Sequence, residues 1–304
     1  MRLGTRGSAL ALAQAGAVRD RLRALGADVE LVTIRTEGDR ILDRRLAEVG
    51  GKGLFVKEIE DALLDQRIDL AVHSLKDLPA DVPAGLTMAA YPEREDPRDV
   101  LVTRNGATLD TLPVGARIGT SSPRRRALLL AARADLRVES LRGNVDTRLG
   151  KLAAGDWDAI VLAAAGIRRL GLDLAHATPL DPATFVPAVG QGIVGIEARE
   201  DDAVTCDWLR KLDHADTRAC ADAERAYLGR LGASCVTPMA AHAELSGDRV
   251  DIAGVVASED GRRVLRASVN GPRTEAARLG RELADRLLEQ GAASITPLHP
   301  EARR

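Results

Sequence analysis

Residues 116–126 (ARIGTSSPRRR) contain the unit on which the predicted fold rests, a short strand followed at once by a helix. Ala116–Thr120 is predicted to be the strand. Ser122 before Pro123 is typical of an N-cap followed by the first helical residue, so a helix is expected over residues 123–134. A strand that leads directly into a helix is the repeating element of α/β proteins with mainly parallel sheets.

The start of this helix is a candidate site for an anion. The turn holds Ser121, Ser122, Arg124 and Arg125. Helix N-termini bind anions through free N–H groups, and arginine can donate two parallel hydrogen bonds to a carboxylate or phosphate. A solvated basic helix face is the alternative, but cations in the first turn oppose the helix dipole, which is unfavourable without a bound anion. We therefore expect an anion to bind here.

The same combination of strand, arginine, small polar residue and helix occurs twice more. It is found at residues 5–8 (TRGS) and at residues 141–148 (LRGNVDTR). In the second of these, Arg142 and Arg148 flank Asn144, which is a candidate N-cap. Any one of these turns could be an ordinary helix start, but the three together favour anion binding.

Strand and helix patterns alternate on both sides of this unit. Residues 29–34 (VELVTI) and 69–72 (DLAV) are typical of strands, whereas residues 8–25 and 57–66 have apolar residues at helical spacing. This rhythm predicts an α/β fold with mainly parallel sheets and helices on their faces.

Two segments divide the chain into predicted domains. Residues 91–99 (YPEREDPRD) are charged, contain two prolines and have no usable period, and residues 185–195 (FVPAVGQGIVG) are rich in proline and glycine. Both segments are interpreted as crossings between lobes. The predicted domains are residues 1–95 with 193–213 for the first α/β lobe, 98–190 for the second, and 215–304 for a small α+β domain. A ligand is expected in the cleft between the two lobes.

The composition excludes several classes of protein. The 304 residues have a formal net charge of −2 and only 2% aromatic residues, which argues against proteins that coat nucleic acid or stack bases. Apolar runs stay short of the ~18 residues that span a bilayer, and no signal peptide is recognised. The odd number of cysteines, Cys206, Cys220 and Cys235, does not suggest a disulfide framework, so a reduced, cytoplasmic protein is expected.

Residues 73–79 (HSLKDLP) end a predicted strand and contain the candidate catalytic residues. Lys76 and Asp77 could be an ordinary surface ion pair, but open α/β sheets place their active sites at the carboxyl ends of strands. His73 is expected to pack or cap, because no second histidine or acid lies at ligand spacing, and no metal site is predicted. The glycine-rich residues 50–55 (GGKGLF) lack the spacing of a phosphate loop and are interpreted as a lid or gate.

Motifs along nearly the whole chain resemble the porphobilinogen deaminase family of tetrapyrrole biosynthesis. The matching stretches are TRGS (5–8), VGGKGLF (49–55), AVHSLKDLP (71–79), EREDPRD (93–99), GTSSPRR (119–125), SLRGNVDTRL (140–149), AAAGIRRLGL (163–172), PAVGQGIVGIE (187–197), AERA (223–226) and the loop around Cys235. The resemblance implies two doubly wound α/β lobes like those of type II periplasmic binding proteins, plus a small α+β C-terminal domain, in a monomer.

The resemblance also implies a reaction and the residues that perform it. Four porphobilinogen molecules would be joined head to tail, each with loss of ammonia, onto a dipyrromethane primer attached to Cys235 through a thioether, and hydrolysis would release hydroxymethylbilane. Asp77, with Lys76 beside it, would stabilise the azafulvenium cation that loss of ammonia leaves. The residues expected to bind the carboxylates of substrate and cofactor are Arg6, Ser8, Lys52, Ser74, Ser121, Ser122, Arg124, Arg125, Arg142, Arg148, Arg169 and Gln191. One departure is Ala233-Ser234, where the family often has two glycines before the cysteine.

Two other functions remain open from the sequence. A two-lobed periplasmic anion-binding protein would share the lobes and the arginine turns, but it would need an export signal and would have no use for the loop cysteine. The effector domain of a transcription regulator would need a helix-turn-helix segment, which we do not find. With porphobilinogen as the partner, no binding of nucleic acid or membrane is expected.

Overall fold

The fold is described for most of the chain. The computed structural model describes residues 1–36, 56–233 and 237–298. Lys52, the glycine-rich residues 50–55 and Cys235 lie outside these ranges, so the lid interpretation and the cofactor attachment stay predictions.

Within the described residues, strands and helices alternate through the first two thirds of the chain, and a strand-rich unit follows. In chain order the elements are β1 (Arg2–Thr5), α1 (Ala9–Ala24), β2 (Glu30–Thr33), α2 (Lys57–Leu64), β3 (Leu70–Ser74), β4 (Leu86–Ala90), β5 (Asp99–Thr103), β6 (Arg117–Gly119), α3 (Pro123–Ala132), β7 (Arg137–Glu139), α4 (Val145–Ala153), β8 (Ala159–Ala163), α5 (Ala164–Arg169), β9 (Ala177–Pro179), β10 (Val194–Arg199), α6 (Ala203–Arg210), α7 (Ala215–Leu231), β11 (Met239–Ser246), β12 (Arg249–Ala257), β13 (Val264–Pro272) and α8 (Ala276–Glu289). Short 3₁₀ turns lie at Leu75–Asp77, Arg273–Glu275 and Ala292–Ser294.

The first sheet draws its strands from two separate parts of the chain. Its order among the described strands is β2-β1-β3-β10-β4, with β1 parallel to β2 and β3, and β10 antiparallel to β3 and β4. Successive side chains of a strand point to opposite faces. Leu70 and Val72 therefore pack with α1 and α6, whereas Ala71 packs with α2.

The second sheet repeats this arrangement. Its order among the described strands is β7-β6-β8-β5-β9, with β6 parallel to β7 and β8, and β5 antiparallel to β8 and β9. In the first sheet, β10 returns from the second lobe and lies antiparallel between β3 and β4. In the second sheet, β5 arrives from the first lobe and lies antiparallel between β8 and β9. The predicted fold class, two doubly wound α/β sheets followed by a small α+β unit, is confirmed, while the domain boundaries stay predictions. The expectation of mainly parallel sheets is wrong, because the described strands of each sheet form two parallel and two antiparallel pairs.

The last unit is a small antiparallel sheet covered by two helices. Strands β11, β12 and β13 pair in that order, and α7 and α8 pack on one face. The helices approach so closely at Gly280 that a β-carbon there would collide with the carbonyl oxygen of Ala223. Tyr227 is fully buried in this core, and its hydroxyl donates a hydrogen bond of 3.0 Å to the carbonyl of Val255.

This third unit also contacts both lobes. Val255 on its sheet joins the core of the second lobe, where it packs with Phe185. Arg225 of α7 donates hydrogen bonds of 3.1 and 2.7 Å to the carbonyls of Pro79 and Ala80, just beyond the Leu75–Asp77 turn. The third unit therefore supports the segment that follows the candidate catalytic residues.

Candidate active site

The turn between β1 and α1 lies at the carboxyl edge of the first sheet. Ser8 is the N-cap of α1, and its hydroxyl accepts a hydrogen bond of 3.3 Å from the backbone N–H of Ala11. The first turn of this helix contains no acidic residue. Its positive end is therefore not neutralised within the helix itself.

A cavity of about 70 Å³ opens beside this turn, at the end of β3. Its walls include Arg6, Ser8, Ser74 and Asp77, so the structure brings four predicted site residues together. Gln14 of α1, which the sequence analysis did not single out, completes this wall and donates a hydrogen bond of 3.0 Å to the hydroxyl of Ser74. The carboxyl edge of a sheet is where α/β proteins bind ligands.

Lys76 and Asp77 lie in the 3₁₀ turn that ends β3, and the Asp77 side chain is exposed. The ammonium of Lys76 lies 3.5 Å from Oε1 of Gln191, on the second crossing. Burial and the nearby positive charge of Arg125 lower the pKa of Lys76 to about 8. Lys76 therefore lies where a positive charge is unfavourable without an added anion.

The predicted anion-binding helix α3 begins as expected, but its arginines face a carboxylate of the protein. Ser122 is the N-cap and accepts a hydrogen bond of 3.4 Å from the N–H of Arg125. Asp99 accepts hydrogen bonds from Nη1 of Arg124 at 2.6 Å and from Nε of Arg125 at 2.9 Å. Both arginines also donate to backbone carbonyls, those of Val186 and Val161, each at 2.8 Å.

This ion-pair cluster is almost completely buried. Burial alone would raise the pKa of Asp99, but the two guanidinium groups hold it well below its usual range. The sequence predicts that Arg124 and Arg125 face an external anion, whereas the guanidinium hydrogen bonds found within the described residues go to Asp99 and to backbone carbonyls. Direct contact of these two residues with a ligand stays a prediction.

Gln191 connects this cluster to the first lobe. Its side-chain amide donates to the carbonyl of Pro97 at 2.6 Å and to Asp99 at 3.1 Å, while its oxygen faces Lys76. Gln191 is buried. It is therefore a direct link between the cluster of arginines and the turn that carries Asp77.

Two further predicted arginines hold positive charge in unfavourable surroundings. Arg148 donates to the carbonyl of Gly143 at 2.8 Å, and burial together with the charge of Arg125 lowers its pKa to about 10. Arg169 donates to the carbonyl of Gly192 at 2.6 Å, and burial lowers its pKa. Within residues 1–36, 56–233 and 237–298, neither guanidinium forms a salt bridge with a carboxylate.

Other predicted residues occupy the same turns. Arg142 and Ser121 are partly buried at the starts of α4 and α3. Asn144 is the N-cap of α4, as predicted from the sequence, although its side chain makes no capping hydrogen bond. The three strand-to-helix turns thus form as expected, and the unpredicted feature is the buried Asp99 between them.

Two family models match nearly the whole chain. The model described as "Porphobilinogen deaminase, dipyromethane cofactor binding domain" matches residues 1–207, and the model described as "Porphobilinogen deaminase, C-terminal domain" matches residues 218–289. The chain belongs to the porphobilinogen deaminase family. It is accordingly a transferase that polymerises porphobilinogen in tetrapyrrole biosynthesis, with a domain that binds a dipyrromethane cofactor.

Porphobilinogen deaminases from several bacteria are similar over their full length. That of Syntrophobacter fumaroxidans is 50% identical over 297 residues, covering 97% of this chain and 96% of the relative. That of Nitratidesulfovibrio vulgaris is 52% identical, covering 96% and 94%, and that of Bordetella parapertussis is 51% identical, also covering 96% and 94%. The resemblance predicted from the motifs is confirmed, in preference to the binding-protein and regulator alternatives.

Solved structures of periplasmic binding proteins are more distantly similar to this chain. A periplasmic substrate-binding protein of an ABC transporter from Coxiella burnetii is 17% identical with a TM-score of 0.43, covering 70% of this chain and 91% of its own. A putative methionine-binding lipoprotein from Bacillus subtilis is 11% identical with a TM-score of 0.42, covering 70% and 89%.

The hydrogen-bond donors of this chain fit the cofactor that the family implies. Each pyrrole ring of a dipyrromethane carries two carboxylates, which are ionised at neutral pH. Lys76 lies near Arg124 and Arg125 as well as near Asp77 and Asp99, and Arg148 lies near Arg125. Burial is the main cause of the lowered pKa values of Lys76 and Arg148, and the positive charge of Arg125 adds to it, so a bound carboxylate would stabilise both cations.

Two further observations concern the part of the chain that the structure describes. No helix there combines the length and the apolar character needed to cross a membrane. No group of three or more histidine, cysteine, aspartate or glutamate residues there could hold a metal ion.

Proposed function

We propose that this chain joins four porphobilinogen molecules head to tail in the cavity at the end of β3, with Asp77 as the catalytic carboxylate, and releases hydroxymethylbilane by hydrolysis. The observation that carries the proposal is the cavity that Asp77 shares with Arg6 and Ser8. It sets an exposed carboxylate beside a guanidinium and an uncompensated helix N-terminus. The guanidinium and the helix N-terminus can then bind an acid side chain of the substrate, while the carboxylate acts on the substrate's cationic end.

Binding is proposed to use the cations of the site. Porphobilinogen has two acid side chains, and Arg6, Arg148 and Arg169 are the candidates to bind them or those of the growing chain. Ser8, Ser74, Ser121, Ser122 and Gln191 are proposed to lie near these groups, as are Arg124, Arg125 and Arg142. Each ligand carboxylate would offset the burial and the charge of Arg125 that lower the pKa values of Lys76 and Arg148.

The chemistry of Asp77 follows from the charge that develops on the substrate. The amine of porphobilinogen's protonated aminomethyl group leaves as ammonia, so the C–N bond breaks with its electron pair on nitrogen. The methylene carbon stays on the ring, and its positive charge spreads onto the pyrrole nitrogen. A carboxylate at Asp77 can accept a hydrogen bond from the pyrrole N–H and stabilise this charge. The ring carbon that forms the new C–C bond must then lose its proton, which Asp77 is proposed to accept.

The cofactor is proposed to be bound through a thioether to Cys235. When bound, dipyrromethane supplies the pyrrole carbon to which the first porphobilinogen is joined. The family model for cofactor binding and the position of Cys235 in a motif of the family support this attachment. Cys206 and Cys220 are buried, and burial raises the pKa of Cys220 to about 11, so neither is a suitable nucleophile. We further propose a cytoplasmic protein, because three cysteines do not suggest a disulfide framework, and a monomer, as the family resemblance implies.

Intact-mass measurement of the full chain produced with porphobilinogen present tests this proposal. The expected result is a mass increment of one dipyrromethane on the wild type and on Cys206→Ser, and no increment on Cys235→Ser. Porphobilinogen consumption should be lost together with the increment. An unmodified wild-type chain, or an increment retained by Cys235→Ser, would contradict the proposed attachment.

A further inference from the structure

We propose that His73 and Glu197 form a positioning pair that fixes the end of β3 from which Asp77 projects, an inference that rests on the function proposed above. Nε2 of His73 lies 3.1 Å from Oε2 of Glu197. Both side chains are buried, with exposed fractions of 4% and 1%. The sequence predicts only packing or capping for His73 and indicates no individual role for Glu197.

The pair joins two neighbouring strands directly below the candidate active site. Strand β10 runs antiparallel to β3, with Gly195 opposite His73 and Glu197 opposite Ala71. His73 also lines the cavity that contains Asp77. The hydrogen bond therefore connects the wall of this cavity to the strand that returns from the second lobe.

The next residue is held on the other face of the strand. Ser74 exchanges hydrogen bonds of 3.0 and 3.1 Å with the side-chain amide of the buried Gln14 on α1. Beyond it, the backbone N–H of the buried Leu75 donates to the carbonyl of Ile193 at 3.0 Å. Three consecutive residues are thus fixed by partners on two segments, α1 and the stretch from Ile193 into β10, and the exposed Asp77 follows two residues later.

Polar side chains at this place need a reason, because the rest of β3 is apolar and buried. A buried ionisable pair carries a desolvation penalty that an apolar pair would avoid. Glu60 of α2 adds a second carboxyl group beside the pair, and burial together with Glu197 raises its pKa to about 7. A directional hydrogen bond fixes orientation in a way that apolar packing does not, which suits a strand end that must present a catalytic carboxylate.

Steady-state kinetics of porphobilinogen consumption by the cofactor-loaded full chain test the proposal. Glu197→Ala should lower kcat by about 10- to 100-fold, because a displacement near 1 Å has effects of this size, while KM stays within about twofold. Glu197→Gln should keep kcat within about threefold, because its amide oxygen can still accept a hydrogen bond from Nε2. Leu70→Ala is the matched control, since it removes a buried side chain from the same strand without touching the pair.

The outcomes separate positioning from general stability. The inference is supported if Glu197→Ala has a lowered kcat at temperatures well below its melting temperature. Leu70→Ala should retain its kcat even though its Tm falls by a comparable amount. Equal losses of kcat in both variants, or an unchanged kcat in Glu197→Ala, would overturn the inference. If Glu197→Ala does not fold, His73→Leu is the deciding variant under the same criteria. A wild-type chain that does not consume porphobilinogen would overturn the proposed function itself.

Discussion

Oε1 of Glu224 lies 2.7 Å from Nη1 of Arg94, and this buried ion pair joins the third unit to the first crossing between the lobes. Oε2 of Glu224 accepts a hydrogen bond of 2.6 Å from the backbone N–H of Gly190, on the second crossing. Oε1 also accepts a hydrogen bond of 2.8 Å from the N–H of Ala243 in β11. One carboxylate therefore holds both crossings against the third unit.

Glu224→Gln is expected to destabilise the chain strongly. The change leaves the guanidinium of Arg94 largely buried without a counter-charge, and breaking a buried pair in this way costs about 3–5 kcal/mol in the free energy of unfolding. Urea unfolding of the full chain measures it. Asp285→Asn, which breaks the more exposed pair with Arg230, should cost no more than about 1 kcal/mol. Similar losses in the two variants would show that the buried pair has no special role.

Asp77→Asn should abolish most of the activity without changing the fold. The side chain is exposed, so the free energy of unfolding should change by no more than about 0.5 kcal/mol. The loss of negative charge should lower kcat for porphobilinogen consumption by roughly 10²- to 10³-fold, as expected for a group that stabilises charge in the transition state. Asp81→Asn, also exposed and only four residues away, is the control and should retain activity. Near-normal turnover by Asp77→Asn would rule out the proposed role.

Lys76 should give the reaction a pH dependence near pH 8. Its pKa is lowered to about 8, so the ammonium is present below that pH and is lost as the pH rises through it. Because kcat/KM reports groups of the free enzyme, it should fall above about pH 8 as a cationic partner for substrate carboxylates disappears. Lys76→Gln should have a lower kcat/KM at pH 7 and a flatter profile. Profiles of the same shape in both proteins would assign the fall to another group.

The local features of the site could be predicted from the sequence, whereas its long-range contacts could not. Ser8 and Ser122 cap their helices as expected, because capping depends on residues only three positions apart. The inward orientation of Arg125 depends on Asp99, which lies 26 residues earlier in a segment interpreted as a crossing. His73 and Glu197 are separated by 124 residues. Their contact requires β10 to insert antiparallel beside β3, for which no short sequence signal exists.

Gly280→Ala tests the close approach of α7 and α8. A β-carbon at this position would collide with the backbone carbonyl of Ala223, which cannot move without shifting the helix. The expected loss is about 1–3 kcal/mol in the free energy of unfolding, the usual cost of overpacking, although alanine is the better helix former. Gly150→Ala in α4, where no atom lies within 4 Å of the added carbon, should be neutral or stabilising. A stabilised Gly280→Ala variant would contradict this packing.

Asp99 should make the stability of the chain depend on acid pH. Its pKa in the folded chain is held below the ordinary value by Arg124 and Arg125, so its contribution to stability is complete above about pH 4 and is lost as the pH falls below that value. Asp99→Asn should lower the free energy of unfolding at pH 7, because both buried guanidinium groups lose their counter-charge. The difference between wild type and variant should shrink as the pH is lowered from 5 to 3. Urea unfolding across this range measures it, and a difference that stays constant with pH would mean that Asp99 stabilises the turn through packing and not through its charge.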